Sequence, residues 1–224
     1  MEVQNASPEK KSVWSNVKTI YKVKPLYKNV LILASIWSTA SFTFYFVEFY
    51  TKFVPTQNIY LLNCIIGFAD ICSNILFIFC VSRMELKVVL LSSYGMLCIA
   101  SFGLFMAVEI TDMADFDPAV DEISTALNYT FAALVFLVRA GASIGFSMAY
   151  YGNVALSPPV LLSSVYALTN IACRFCTTFS PLIADIIENP SIVVTVLSTI
   201  TFVSSIFIKE NTRMIELPPE SPKT

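Results

Sequence analysis

Apolar and polar positions alternate along this chain in long blocks, and six apolar blocks are separated by short polar or proline-containing breaks. Each block approaches the length of about 20 residues that an α-helix needs to cross the hydrocarbon of a bilayer. The pattern therefore predicts six membrane-spanning helices, at about residues 29–47, 57–82, 88–108, 127–153, 160–183 and 191–208.

The segments outside residues 29–208 are polar. Residues 1–28 carry six lysines and no long apolar run, which predicts a basic cytoplasmic tail. Within this tail, residues 19–28 either begin an interfacial helix whose lysines contact anionic lipid head groups, or remain solvated. Residues 209–224 contain three prolines and predict a disordered cytoplasmic tail.

Composition supports a membrane protein and argues against most enzymes. Only 13% of the 224 residues are charged, about half the share usual in soluble domains. Histidine, the commonest general base and metal ligand, is absent. All six cysteines lie inside apolar blocks, where we interpret them as small packing residues. We expect no enzymatic activity, no metal site, no cofactor and no nucleic-acid partner.

The basic residues predict the orientation. If the N-terminus is cytoplasmic, eleven of the fourteen basic residues fall on the cytoplasmic side, and only Lys52 falls outside. This positive-inside bias places both termini in the cytoplasm. The acidic connection at 109–122 is then external.

Four of the six blocks carry polar residues at helical spacing, so that those residues share one face of each helix. The stripes are Asn63, Gly67, Asp70 and Asn74 in the second block; Arg139, Ser143, Ser147 and Tyr150 in the fourth; Tyr166, Asn170, Arg174 and Thr177 in the fifth; and, more weakly, Ser41, Tyr45, Glu48 and Lys52 in the first. These four spans are predicted to line a polar cavity, with the third and sixth spans on the lipid side. For the Ser and Thr residues, hydrogen bonds between packed helices are the alternative.

Three charges lie within the spans: Asp70, Arg139 and Arg174. A charged side chain at mid-membrane costs roughly 2.5 to 3.5 kcal/mol on an insertion scale, and it usually faces protein or water. One acid against two bases leaves a surplus positive charge. An anionic substrate, a bound anion or Glu48 is expected to balance it.

Short sequence motifs resemble the C-terminal six-helix half of a major facilitator superfamily transporter, in the organic cation and anion transporter branch. The matching stretches, in order, are 27–32 (YKNVLI) followed by Trp37, 67–71 (GFADI), the basic positions Arg83 and Lys87, 139–143 (RAGAS), 172–174 (ACR) with 180–183 (SPLI), and 210–213 (ENTR). The resemblance covers about residues 18–216, nearly the whole chain.

The resemblance implies a half-transporter that moves small organic ions by alternating access. Its substrate-binding residues are then expected to include Arg174 as the contact for an anion, together with the rest of the charged and polar set: Asp70, Arg139, Asn170, Tyr166, Asn74, Asn63 and Glu48. Arg83 and Lys87 are the expected gating residues. The expected partners are the lipid bilayer, the substrate and a second six-helix half, either a second copy or a separate chain, and the plasma membrane is the expected location.

Departures from the family pattern support an alternative, a non-transporting membrane scaffold or accessory subunit. At the turn between the second and third spans, Ser82, Glu85 and Leu86 replace the acid, the glycine and one base of the family motif. These replacements remove most of the charged gating network.

Overall fold

The computed structural model describes residues 13–51, 54, 58–111, 124–187 and 189–209, and these residues fold as a helical bundle. The helices of this part of the chain are α1 (Val13–Lys22), α2 (Lys24–Tyr50), α3 (Ile59–Arg83), α4 (Leu86–Thr111), α5 (Thr125–Leu156), α6 (Leu162–Thr178), α7 (Ser180–Ile186) and α8 (Ser191–Ile206). No strand occurs within the described ranges. The all-α part of the prediction is confirmed.

Among the described residues, four helices are long and apolar enough to cross a membrane: α2, α3, α4 and α5. The helix α8 is apolar but has only 16 residues. The predicted fifth span is divided, because α6 ends at Thr178 and α7 begins at Ser180. Pro181 lies in the first turn of α7 and has no N–H with which to continue the hydrogen bonding of α6. Six crossings therefore stay a prediction.

The N-terminal boundary differs from the sequence prediction. The first long helix begins at Lys24 instead of about residue 29, and α1 precedes it. Ile20 of α1 is buried in a small apolar cluster with Leu26 and Val165, and Asn16 Nδ2 donates to Ser164 Oγ at 3.1 Å. This part of the predicted tail thus packs on the bundle. Residues 1–12 and 210–224 lie outside the described residues, as does most of the acidic connection.

The helices pack in two layers. One layer is the row α3–α5–α2–α6, in which α5 and α2 are central, α3 packs on α5, and α6 packs on α2. The second layer is the pair α4 and α8, which pack against each other and against one side of α5 and α2. The helices with predicted polar stripes therefore form one layer, and the two spans without stripes form the other.

A close approach between α5 and α4 depends on glycine. A Cβ at Gly141 would lie 3.0 Å from Leu97 Cβ and 3.2 Å from Leu97 Cα. The Tyr94 hydroxyl lies against Gly145 and donates to the carbonyl of Ile36, which joins α4 to α2. Small residues allow such close packing between helices in membranes.

Hydroxyl groups join the two layers. Thr201 of α8 is hydrogen-bonded to Thr39 at 2.7 Å and to Ser35 at 3.1 Å, and both partners belong to α2. Many of the polar residues in the spans therefore hydrogen-bond between helices, the alternative that the sequence left open for Ser and Thr.

Candidate functional site

The charged centre of the described chain is Arg139, in the middle of α5. Its Nε donates to Asp70 Oδ1 at 2.8 Å and its Nη2 donates to Asp70 Oδ2 at 2.7 Å, which makes a bidentate pair. Nη2 also contacts Glu48 Oε1 at 3.2 Å. Bidentate pairs of arginine and carboxylate combine charge assistance with fixed geometry. Three helices, α2, α3 and α5, thus meet at one guanidinium.

Phe44 completes the surroundings of Arg139. Nη1 donates to the Phe44 carbonyl at 2.5 Å, and the guanidinium carbon lies 3.4 Å from the centroid of the Phe44 ring. An arginine stacked on an aromatic ring gains a cation–π attraction that strengthens when water is excluded. Every nitrogen of the guanidinium therefore has a partner, which offsets the cost of burying it.

Exposure differs sharply within this cluster. Arg139 is 2% exposed, whereas the side chains of Asp70 and Glu48 are 27% and 49% exposed. Two carboxylates and one guanidinium give a formal charge of −1, and the two acidic side chains are the more exposed members of the cluster. The cluster therefore presents negative charge, although its central residue is basic.

The contact between α3 and α5 continues one turn further through Asn74. Ser147 Oγ donates to Asn74 Oδ1 at 3.2 Å, and Asn74 Nδ2 donates to the Asp70 carbonyl at 2.8 Å. Asn63 lies two turns before Asp70 on the same helix and is exposed, outside this network. Only part of the predicted polar stripe of α3 therefore contacts α5.

An aromatic row follows α5 and crosses α2 to reach α6. Ring centroids of Trp37 lie 4.9 Å from both Tyr150 and Tyr166, and Phe146 links Tyr150 to Phe44 at 5.4 and 5.7 Å. These distances are typical of favourable ring pairs. The row connects the Arg139 cluster with the second basic residue, on α6.

That second residue, Arg174, is exposed and has no acidic partner among the described residues. It interacts electrostatically with the hydroxyl of Tyr150, which lies within the aromatic row. One turn before it, Asn170 has a buried Oδ1 that accepts no hydrogen bond from the described residues. Thr177, predicted on the same stripe, instead donates to Ser41 of α2 at 2.9 Å.

We call the accessible side of the α3–α5–α2–α6 layer the polar face, defined by Asp70, Glu48, Tyr150, Tyr166 and Arg174. The structure brings Asp70, Arg139 and Glu48 together, with Asn74 beside them. Tyr166 lies at the other end of the aromatic row, and Arg174 belongs to the same helix, α6, on the far side of α2. The predicted residues therefore form two groups instead of one pocket.

The two expected gating residues flank a tight turn. Arg83 ends α3 and its guanidinium lies 4.8 Å from the centroid of the Phe79 ring, while Lys87 lies in the first turn of α4. Met84 N donates to the Cys80 carbonyl at 2.8 Å and ends the helix.

Sequence reasoning missed two participants, Phe44 and Trp37, as site residues. Phe44 precedes Glu48 by four residues, so that both lie on the face of α2 that meets Arg139. The spacing of four residues between Phe44 and Glu48 could therefore have identified Phe44 from the sequence. The partnership of Trp37 with Tyr150 and Tyr166 depends on the packing of three helices, which no local pattern contains.

Together these features describe an all-helical protein with the apolar helices of a membrane-embedded one and a charged, aromatic face on one layer. No protein-family model and no curated protein matches this chain. Its function is therefore argued from the geometry of the polar face.

Proposed function

We propose that this chain is one six-helix half of a transporter of the major facilitator type, which moves small organic ions across a membrane by alternating access. Its crossings would be α2, α3, α4, α5, the broken pair α6 and α7, and α8. The proposal includes cytoplasmic termini and a plasma-membrane location. It is supported by the layer order, in which the helices with polar stripes share one face.

The observation that carries the proposal is Arg174, which is exposed and has no acidic partner in the part of the chain that the structure describes. The charge of Arg139 is already matched by Asp70 and Glu48. A free cation within an apolar span requires water or a counter-ion. In this proposal Arg174 binds the anionic group of a substrate, while Tyr166 and the unpartnered Oδ1 of Asn170 offer polar contacts.

A second six-helix unit is the proposed partner, either another copy of this chain or a separate half. Transporters of this kind hold their substrate near the bilayer midplane, between two structural repeats. The polar face supports such a partner because its charges are exposed in the described chain. A partner that covered them would turn the face into one wall of a central cavity.

Uptake into proteoliposomes tests the proposal. The probes are benzoate as an aromatic anion and tetraethylammonium as an organic cation, each with the wild type, Arg174→Ala and Arg174→Lys. We expect Arg174→Ala to abolish benzoate uptake and Arg174→Lys to retain part of it, because lysine keeps the charge but not the planar geometry.

Two results would contradict the proposal. Normal benzoate uptake by Arg174→Ala would exclude Arg174 as the anion contact. No uptake of either probe by the wild type, even when it is reconstituted together with a membrane protein that stably co-purifies with it, would favour the accessory-subunit alternative.

A further inference from the structure

The helix α1 has an exposed side that the transport proposal does not use. Trp14, Lys18 and Tyr21 are spaced by four and three residues and so share one face, with Lys22 beside them. Trp14 is 76% exposed and Tyr21 is 70% exposed. Exposed aromatic rings of this size are costly in water but favourable at a membrane interface, where Trp and Tyr are enriched.

The opposite side of α1 fixes its orientation. Ile20 is buried against the start of α6, and Asn16 is hydrogen-bonded to Ser164. These contacts hold α1 on the bundle at the end where α2 and α6 begin. The aromatic side therefore faces outward as a consequence of packing.

The height of α1 follows from the length of α2. This helix has 27 residues, so it is about 40 Å long, close to the thickness of a bilayer that includes its head groups. Its first residue, Lys24, is then expected at head-group level. Because α1 is joined to α2 through Val23 alone, it lies at the same level.

The N-terminal segment at this level carries only basic charges. Lys18, Lys22, Lys24 and Lys28 are all exposed. No acidic residue occurs between Val13 and Val47. Basic residues next to a membrane span attract anionic lipids, by about fivefold in affinity for each lysine near the surface.

We propose that α1 and the start of α2 form a binding site for anionic phospholipid head groups. The phosphate and carboxylate of such a lipid are bound by the four lysines. The rings of Trp14 and Tyr21 insert between the head groups and the acyl chains, as in an interfacial amphipathic helix. Neither a soluble phosphate nor an acidic protein would require these rings to be exposed beside the span.

Quenching of Trp14 fluorescence in nanodiscs tests the site directly. The chain has two tryptophans, and Trp37 is buried in the bundle, so the difference between wild type and Trp14→Phe reports on Trp14. The quencher is phosphatidylserine or phosphatidylcholine with brominated acyl chains, at equal mole fraction in unlabelled phosphatidylcholine. We expect stronger quenching by the brominated phosphatidylserine.

Matched variants distinguish the effect of a lost charge from the effect of a disturbed fold. Lys18→Gln with Lys22→Gln should bring the two quenching curves closer to each other, with a loss in lipid preference of about fivefold per lysine, while Lys24 and Lys28 retain part of the preference. Lys18→Arg with Lys22→Arg keeps the charge and should keep the preference. Glycerophosphoserine, the soluble head group, added as a competitor should leave the quenching by the brominated phosphatidylserine unchanged, because without acyl chains it does not bring the rings of Trp14 and Tyr21 into the site.

Two outcomes of the quenching experiment would overturn the proposal. No quenching of Trp14 by either lipid would show that α1 does not reach the bilayer, and would overturn it. Equal quenching by both lipids in the wild type would show interfacial contact without a site for anionic lipid, and would also overturn it. Failure of ion uptake has no bearing on this result, because the site depends only on membrane insertion.

Discussion

The regions around Arg139 and Arg174 contain the same charged group, but the fold surrounds them differently. Arg139 belongs to α5, which is long and apolar enough to cross a membrane, and Arg174 belongs to α6, which has only 17 residues. Arg139 is buried, bonded to two carboxylates and stacked on Phe44. Arg174 is exposed and has no acidic partner among the described residues. The difference follows from helix order, since α5 lies between α2 and α3, whereas α6 packs only at the edge of the layer. One arginine therefore connects helices, and the other is accessible to a ligand or partner.

The largest expected effect comes from breaking the Arg139 cluster. Asp70→Ala leaves the buried guanidinium with only the partly exposed Glu48 as a counter-charge, and removing one member of a buried ion pair costs about 3 to 5 kcal/mol. We expect a large fall in Tm in mild detergent. The double variant Asp70→Leu with Arg139→Met removes both charges and should recover most of the loss. An unchanged Tm for Asp70→Ala would contradict the structural role of the cluster.

A second prediction tests the packing that positions α5. Gly141→Ala places a methyl group against the backbone of Leu97, and overpacking of this kind costs about 1 to 3 kcal/mol. Gly67→Ala on α3 is the matched control, because nothing lies within 4 Å of its added Cβ. The measurement is the difference in Tm between the two variants. Equal Tm values would show that the close approach of α4 and α5 is not required.

The main features of the fold were predictable from local patterns. Block length predicted the long helices, and helical spacing predicted that Asp70, Arg139 and Glu48 point to one side of their helices. Asp70 and Glu48 both contact Arg139, so Glu48, one of the counter-charges that the sequence left open, pairs with Arg139, and Arg174 has no acidic partner among the described residues.

Other features were not predictable because they depend on contacts between distant segments. The break at Phe179 had a local signal in Pro181, but its position within the span was missed. The docking of α1 depends on Ser164 and Val165, which are about 145 residues away along the chain. The separation of Arg174 from the Arg139 cluster depends on the order of helices in the layer, since both arginines belong to similar stripes.

A smaller effect is expected at the edge of the Arg139 cluster. Glu48 is about half exposed and makes one contact of 3.2 Å with Nη2, so Glu48→Gln should cost less than about 1 kcal/mol. The measurement is Tm at low and high salt, because an exposed pair is screened by salt. A loss as large as that of Asp70→Ala would show that the two carboxylates are equivalent.

The smallest effect on stability is expected at Arg174, and it separates the two regions most directly. Arg174→Gln removes an exposed charge that has no acidic partner within the described ranges, so the free energy of unfolding of the protein should change by no more than about 0.5 kcal/mol. The same substitution at Arg139 removes the connection among three helices and should lower Tm strongly. A large fall in Tm for Arg174→Gln would mean that this charge also stabilises the fold. With Tm unchanged, any loss of ion uptake in the Arg174 variants reports on ligand recognition, because folding has been excluded as its cause.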